Sequence, residues 1–170
     1  KITIVQRDTT ASLNAFKNGE TDMTAASSNE RLTQVKAMSG VSIRRGATPA
    51  VFMITQNAAS TTLADVKIRE AIAIAIDRSQ IAQVQFQGLD YTEEAPGSRG
   101  LRPDQTGYKD GFGSLGPKTD LDKANKLLDD AGWAKGSDGM RAKAGTALTL
   151  RLPIFGDSTQ IRSRARAVQA

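Results

Sequence analysis

Apolar positions recur at helical spacing in some stretches of this chain and alternate in others, and the two patterns divide it into elements. Ile2 and Ile4 alternate with their neighbours, so residues 1–6 are expected to form a strand. Asp8 or Thr9 caps a helix to about Asn18, with Leu13 and Phe16 on one face and Gly19 closing it. Residues 21–24 are a short strand candidate. Ser28 and Asn29 open a second helix carrying Leu32, Val35 and Met38, with Gly40 after it. Residues 41–45 and 51–56 are expected to be strands joined through Ala47, Thr48 and Pro49. From Asp65, the run Val66, Ile68, Ala71, Ile72, Ala75, Ile76 is apolar nearly all round, which predicts a central, buried helix. Asp77 caps the next helix, with Gln80 three residues on, and Gly88 ends it. Residues 91–117 are rich in Gly, Pro and charge and are expected to be a long surface loop. Thr119 caps a helix to Asp130, with Leu121, Ala124, Leu127 and Leu128 on one face. Gly132 follows, and Trp133 packs back. A turn over 138–145 leads to a strand at 148–152, and Asp157 or Ser158 opens a last helix.

Short strands mixed with amphipathic helices predict an α/β lobe, a mixed sheet flanked by helices. Its expected core holds Ile68, Ile72, Ile76, Leu127, Leu128 and Leu150. Two local interactions follow from spacing. Asp65 and Arg69 stand four apart on one helix, where an ion pair contributes about 0.3–0.5 kcal/mol. Asp77 as a cap contributes about 1 kcal/mol.

Composition narrows the chemistry. The 170 residues suit one domain with its own core, and 39% hydrophobic with 24% charged residues is ordinary for a globular chain. With no Cys and no His, the chain has no disulfide, no thiolate metal site, and no Ser-His-Asp or Cys-His catalysis of its own. The net charge of +5 suits an acidic partner or simply a solvated surface. The longest strongly apolar run, Ala71–Ile76, is too short to span a bilayer. Lys1 in place of Met, before a strand pattern, is read as a sign of trimmed ends, so missing targeting signals carry no weight.

Several motifs carry possible chemistry. Residues 111–116 spell G-x-G-x-x-G, the basis of an alternative reading as a nucleotide-dependent enzyme domain. A dinucleotide site needs a strand before the motif and a helix opening inside it, whereas here Asp110 precedes and Pro117 follows, in a loop-like region. Asp120, Asp122, Asp129 and Asp130 lack calcium-loop spacing, and no metal site is assigned to them. Arg162, Arg164 and Arg166 support a further alternative, a basic nucleic-acid-binding module. They share no single helix face and carry no interleaved aromatic, so a solvated face is the default and no nucleic-acid partner is assigned. Residues 153–160 lie where a strand is expected to end and a helix to begin. Backbone N–H groups there can hold an anion, and ligands of open α/β sheets gather at the carboxyl ends of strands.

Three segments, in order, resemble the family-five extracellular solute-binding proteins, which serve peptide, nickel and related importers. The first is Ala15-Phe16-Lys17-Asn18-Gly19-Glu20-Thr21-Asp22, similar to a short helix followed by a Gly-Glu-x-Asp step. The second runs from Asn57 through Leu63–Arg78, with an Asp-x-x-x-Arg-x-Ala start and an Ala-Ile-Asp-Arg end, to Ile81 and Gly88. The third is Asp122–Trp133, similar to a Lys-Ala-x-x-Leu-Leu-x-x-Ala-Gly-Trp helix, followed by Gly139, Arg141 and Gly145. Family members are several times longer. The resemblance implies that residues 1–170 are a single lobe, a fragment, of a two-lobed periplasmic-binding-protein-like fold. It implies ligand capture for an ABC importer, with a small molecule or peptide as ligand and the membrane permease as partner of the full-length protein. It further implies an extracytoplasmic location, periplasmic or as a cell-surface lipoprotein, with no enzyme activity and no cofactor. Phe155, Gly156, Asp157 and Ser158 fall where the family's cleft-lining segment lies and are the expected ligand-binding residues.

Overall fold

The structure is a computed structural model and describes residues 1–46, 52–93, 95–113, 119–156 and 158–170. The chain divides into two compact units: Lys1–Gly46 with Phe86–Thr92, and Ala47–Gln85 with Glu93–Ala170.

The first unit is built from two capped helices, α1 (Thr9–Lys17) and α2 (Asn29–Lys36). The Asp8 carboxylate accepts from Ala11 N at 2.8 Å, and the Ser28 hydroxyl accepts from Arg31 N at 3.3 Å. Each satisfies one of the N–H groups that a helix start leaves without a partner. At the far end of α1, Gly19 takes φ +72°, Gly19 N donates to Phe16 O, and Glu20 N donates to Ala15 O at 2.9 Å. This left-handed closure is the conformation that glycine adopts without steric cost. Leu13, Ala15 and Val35 are buried. Arg31 reaches Thr9 O at 2.8 Å and Thr24 Oγ1 at 3.1 Å, tying the start of α1 to α2.

The second unit holds the larger core. It contains α3 (Val66–Ala75), α4 (Arg78–Gln85), α5 (Leu121–Asp130) and α6 (Thr159–Gln169). Its sheet is a three-stranded antiparallel meander, β1 (Ala134–Lys135), β2 (Arg141–Lys143) and β3 (Thr146–Ala147). Ala142 pairs with both Ala134 and Ala147. Ala144 and Gly145 both have positive φ, which matches the right-handed twist of a tight β2–β3 hairpin.

Helices α3 and α5 pack on each other through Ala71, Ile74 and Ala124, and small side chains there allow close approach. Beyond them Ile68, Ala131 and Trp133 form a second cluster, joined by Leu63, Ile72, Leu128 and Leu148. Trp133 reaches this cluster because Gly132, at φ +83°, turns the chain back and lets Trp133 N donate to Leu128 O at 2.9 Å. Three cations then converge on the C-terminal end of α5, where its dipole favours positive charge. Lys67 donates to Asp130 O at 3.2 Å and Lys143 to Ala131 O at 2.8 Å, while Arg141 donates to Trp133 O. Arg141 also meets Asp129 at 2.6 Å and Asn125 Oδ1 at 2.8 Å, with its side chain only 9% exposed.

Helix positions agree with the sequence pattern, and the caps differ in detail. Asp120, not Thr119, caps α5, accepting from Lys123 N at 2.8 Å, while Thr119 donates to Ile76 O at 3.5 Å. Asp65 caps α3 through Lys67 N, and the Arg69 guanidinium turns to Leu63 O and Ala64 O, so the four-apart ion pair is replaced by backbone contacts. Asp77 accepts from Ser79 Oγ at 2.6 Å and from Gln80 N at 2.9 Å. These two donors, the hydroxyl first, hold its carboxyl below the usual carboxylate range.

Most strand expectations are corrected. Residues 1–6, 21–24, 41–45, 52–56 and 148–152 form no strand, and the sheet occupies 134–147, partly where a turn was expected. Alternation marks two faces, but a strand also needs a ladder of hydrogen bonds to a neighbour, and no such ladder forms at these segments among the described residues; the bond from Leu148 N to Arg141 O does not extend into one. Ile2 and Ile4 are accordingly exposed, and so is Leu150, in place of its expected core position. Residues 47–51, with the expected strand link and Val51, lie outside the described residues. At this level the chain is an α/β fragment of helices and a small antiparallel sheet.

Candidate functional site

The expected site residues sit in the second unit, between the last strand and α6. After Leu148, whose N–H donates to Arg141 O at 2.7 Å, the chain runs extended and exposed to Phe155. Leu150, Leu152 and Ile154 are each 44–45% exposed, and Phe155 is 88% exposed. Gly156 follows with φ +97°, a region closed to other L-residues without strain. A Cβ built on Gly156 would lie 2.9 Å from Ile161 Cδ1, so the Ile161 side chain lies across the glycine. The Ser158 hydroxyl accepts from Ile161 N at 3.3 Å and caps α6. The structure therefore places Phe155 at the end of the extended segment, Gly156 at a bend directly after it and Ser158 at the cap of α6. Asp157 lies outside the described residues.

This turn has apolar material and hydrogen-bonding capacity. No group of three His, Cys, Asp or Glu side chains gathers to hold a metal among the described residues. The four aspartates do not act as one group. Asp120 caps α5, Asp122 is exposed in its first turn, Asp129 meets Arg141, and Asp130 meets Lys126 at 3.2 Å. The glycine loop is a turn where it is described. Gly113 N donates to Asp110 Oδ1 at 2.7 Å, Phe112 N donates to Gly97 O at 3.1 Å, and the Arg78 guanidinium stacks on Phe112 at 3.9 Å. No strand precedes Gly111, Gly111 and Phe112 lie in a turn, and Ser114, Leu115 and Gly116 lie outside the described residues.

The arginine run divides. Arg162 and Arg166 are exposed one turn apart on α6, while Arg164 is half-buried with its guanidinium 4.0 Å from the Phe52 ring. Phe52, Met53 and Ile54 are themselves exposed, giving a second apolar stretch in this unit. Sequence reading missed the roles of Phe52 and Ile161. The glycine five residues before an isoleucine was the available signal for the latter, but only the positive φ makes it legible.

Against known proteins, the description "Bacterial extracellular solute-binding proteins, family 5 Middle" matches residues 1–170. The chain belongs to this family. Its similar relatives include the "Oligopeptide-binding protein OppA" of Mycobacterium bovis (strain ATCC BAA-935 / AF2122/97), 33% identical over 169 residues. The proteins of the same name from Mycobacterium tuberculosis strains CDC 1551 / Oshkosh and ATCC 25618 / H37Rv match equally, at 33%. In each case the alignment covers 99% of this chain and 28% of the relative, so the chain spans little more than a quarter of the length of these proteins. The three segments that suggested family five from sequence are now placed. The Gly-Glu-x-Asp step closes α1, the Asp-to-Arg segment forms α3 and the start of α4, and the Lys-Ala-to-Trp segment forms α5 with its Trp133 closure. In this family-five chain, all three are chiefly scaffold, and the exposed turn after Ile154 stands apart from them.

Proposed function

We propose that this chain is part of a solute receptor that captures peptides outside the membrane and delivers them to the permease of an ABC importer, without catalysis. The observation that carries this reading is the family match over residues 1–170, joined by relatives named for oligopeptide binding. Residues 1–170 form a single lobe of a two-lobed, periplasmic-binding-protein-like fold that closes on its ligand by hinge motion. The receptor works in the periplasm or as a lipoprotein on the cell surface. No helix among the described residues is long and apolar enough to cross a membrane, and in this reading the membrane is reached through the permease. Phe155, Gly156 and Ser158, with Asp157 beside them, line the cleft. An aromatic ring 88% exposed at the end of an apolar extended segment supports that placement, because such a surface is stabilised by being covered.

A cleft closed by two lobes buries most of its ligand, whereas one lobe offers only part of the contacts. The loss of translational and rotational freedom on binding, about 4–15 kcal/mol, remains in full. The 170-residue chain alone is therefore expected to bind peptides far more weakly than the full-length protein. Calorimetry of both with the same panel of tri- to hexapeptides tests this. Comparable affinities would place the whole site within these residues and remove the two-lobed cleft. A full-length protein that ignores every peptide would remove the peptide reading.

A further inference from the structure

The turn that carries Phe155 is held from one side by a residue of the following helix. Ile161 is half-buried in the first turn of α6, and α6 packs along α4, so its backbone is anchored in the second unit. Its N–H is bound by the Ser158 hydroxyl at 3.3 Å, which leaves the side chain to project back over the turn. There its Cδ1, the far end of the side chain, lies 2.9 Å from where a Cβ at 156 would stand, so a side chain at 156 would displace it. Gly156 thus meets two demands: a φ of +97° and the close passage of Ile161. Phe155, directly before it, stays 88% exposed. A flexible turn carrying an apolar ring would fold that ring down onto neighbouring apolar side chains, since burial of an aromatic side chain is favourable. A turn closed by a cap on one side and an isoleucine on the other keeps the ring facing out.

We propose that Ile161 and Gly156 are a positioning pair that presents the Phe155 ring to the peptide, so that the ring's ordering is complete before the ligand arrives. This rests on the peptide-binding reading of the same turn. Pre-ordering a contact residue raises affinity by removing an ordering cost from the binding step. Ile161 need not touch the ligand to do this.

The test uses the full-length protein with 4-fluorophenylalanine incorporated at position 155, followed by fluorine NMR, and pentaalanine and Ala-Ala-Phe-Ala-Ala as probes in calorimetry. In the parent protein a single sharp resonance is expected, shifting when peptide is added. Ile161→Ala is expected to broaden or split the resonance of the free protein and to weaken peptide binding by about tenfold. Ile161→Leu, which restores the reach of the side chain, is expected to recover a single resonance and most of the lost affinity. Gly156→Ala should behave as Ile161→Ala does. Should Ile161→Ala leave both resonance and affinity unchanged while Phe155→Ala weakens binding, the positioning pair is overturned and the site stands. Should Phe155→Ala itself bind both peptides as the parent does, the site falls and the pair with it. An affinity loss in Ile161→Ala that Ile161→Leu repeats in full, with the resonance unchanged, marks a purely structural isoleucine and also overturns the proposal.

Discussion

Within the second unit, the α3–α5–hairpin module and the segment from Thr149 to Ser158 use similar residues to opposite ends. Both are rich in Leu and Ile and both carry one large aromatic side chain. In the module, Trp133 is 8% exposed, packed on Ile68, and held by hydrogen bonds from its own backbone to α5 and from Arg141. In the segment, Phe155 stands 88% exposed, with Leu150, Leu152 and Ile154 half in water beside it. The difference lies in partners, not composition. Apolar side chains on α3 and α5 meet one another across two helices, whereas those of 150–155 belong to neither buried cluster. Stability of this unit is therefore concentrated in the module, and the segment is the part proposed to meet the ligand.

That contrast can be broken most forcefully at Trp133. Trp133→Ala removes the side chain that joins α5 to Ile68 and Leu148, and it should cost about 3–5 kcal/mol in urea unfolding followed by circular dichroism. A loss below about 1 kcal/mol would mean that the module is not where stability resides.

Arg141 tests the polar half of the same module. Its guanidinium serves Asp129, Asn125 and Trp133 O from a side chain only 9% exposed. Arg141→Met should cost about 2 kcal/mol, since hydrogen bonds involving charge are lost and Trp133 O is left without this donor. Arg141→Lys should recover little of it, because a single ammonium cannot reproduce the guanidinium fork.

Asp77 sharpens the comparison at a smaller scale, at the step between α3 and α4. Asp77→Ala should cost about 1 kcal/mol at neutral pH as a lost cap. The sign with pH follows from the depressed carboxyl. The folded state holds the proton less tightly than the unfolded state, so the carboxylate's contribution is full above the ordinary aspartate range. It fades as pH falls through the lowered folded value. Parent and variant should therefore converge in stability on acidification, which unfolding curves from neutral pH down to strongly acidic pH would check.

At Phe155 the expected stability effect is the smallest, within about 0.5 kcal/mol for Phe155→Ala, because the ring is in water already. Peptide affinity of the full-length protein should nonetheless fall by about tenfold or more, as for a buried aromatic contact in a complex. A variant that unfolds more easily yet binds normally would invert the assignment of roles between segment and module.

The amino-acid sequence by itself determined where the six α-helices among the described residues begin, to within a residue or two. Caps at Asp8, Ser28, Asp65, Asp77 and Ser158, the closures at Gly19 and Gly132, and the apolar faces between them are local features, set by residues three or four apart. It also carried the family, because the three motifs build those same helices and their ends. What only the tertiary structure decided is pairing across distance. The sequence placed strands at 1–6, 41–45 and 148–152 from alternation, but a strand exists only where another chain segment accepts its hydrogen bonds, and the pairing fell instead to 134–147. It placed Leu150 in the core, where exposure depends on a second layer that alternation cannot supply. At the candidate site, residue types at 155–158 were legible, but the side chain lying over Gly156 was not. That contact depends on a φ of +97° and on where α6 begins, and neither is a property of any single residue in the turn.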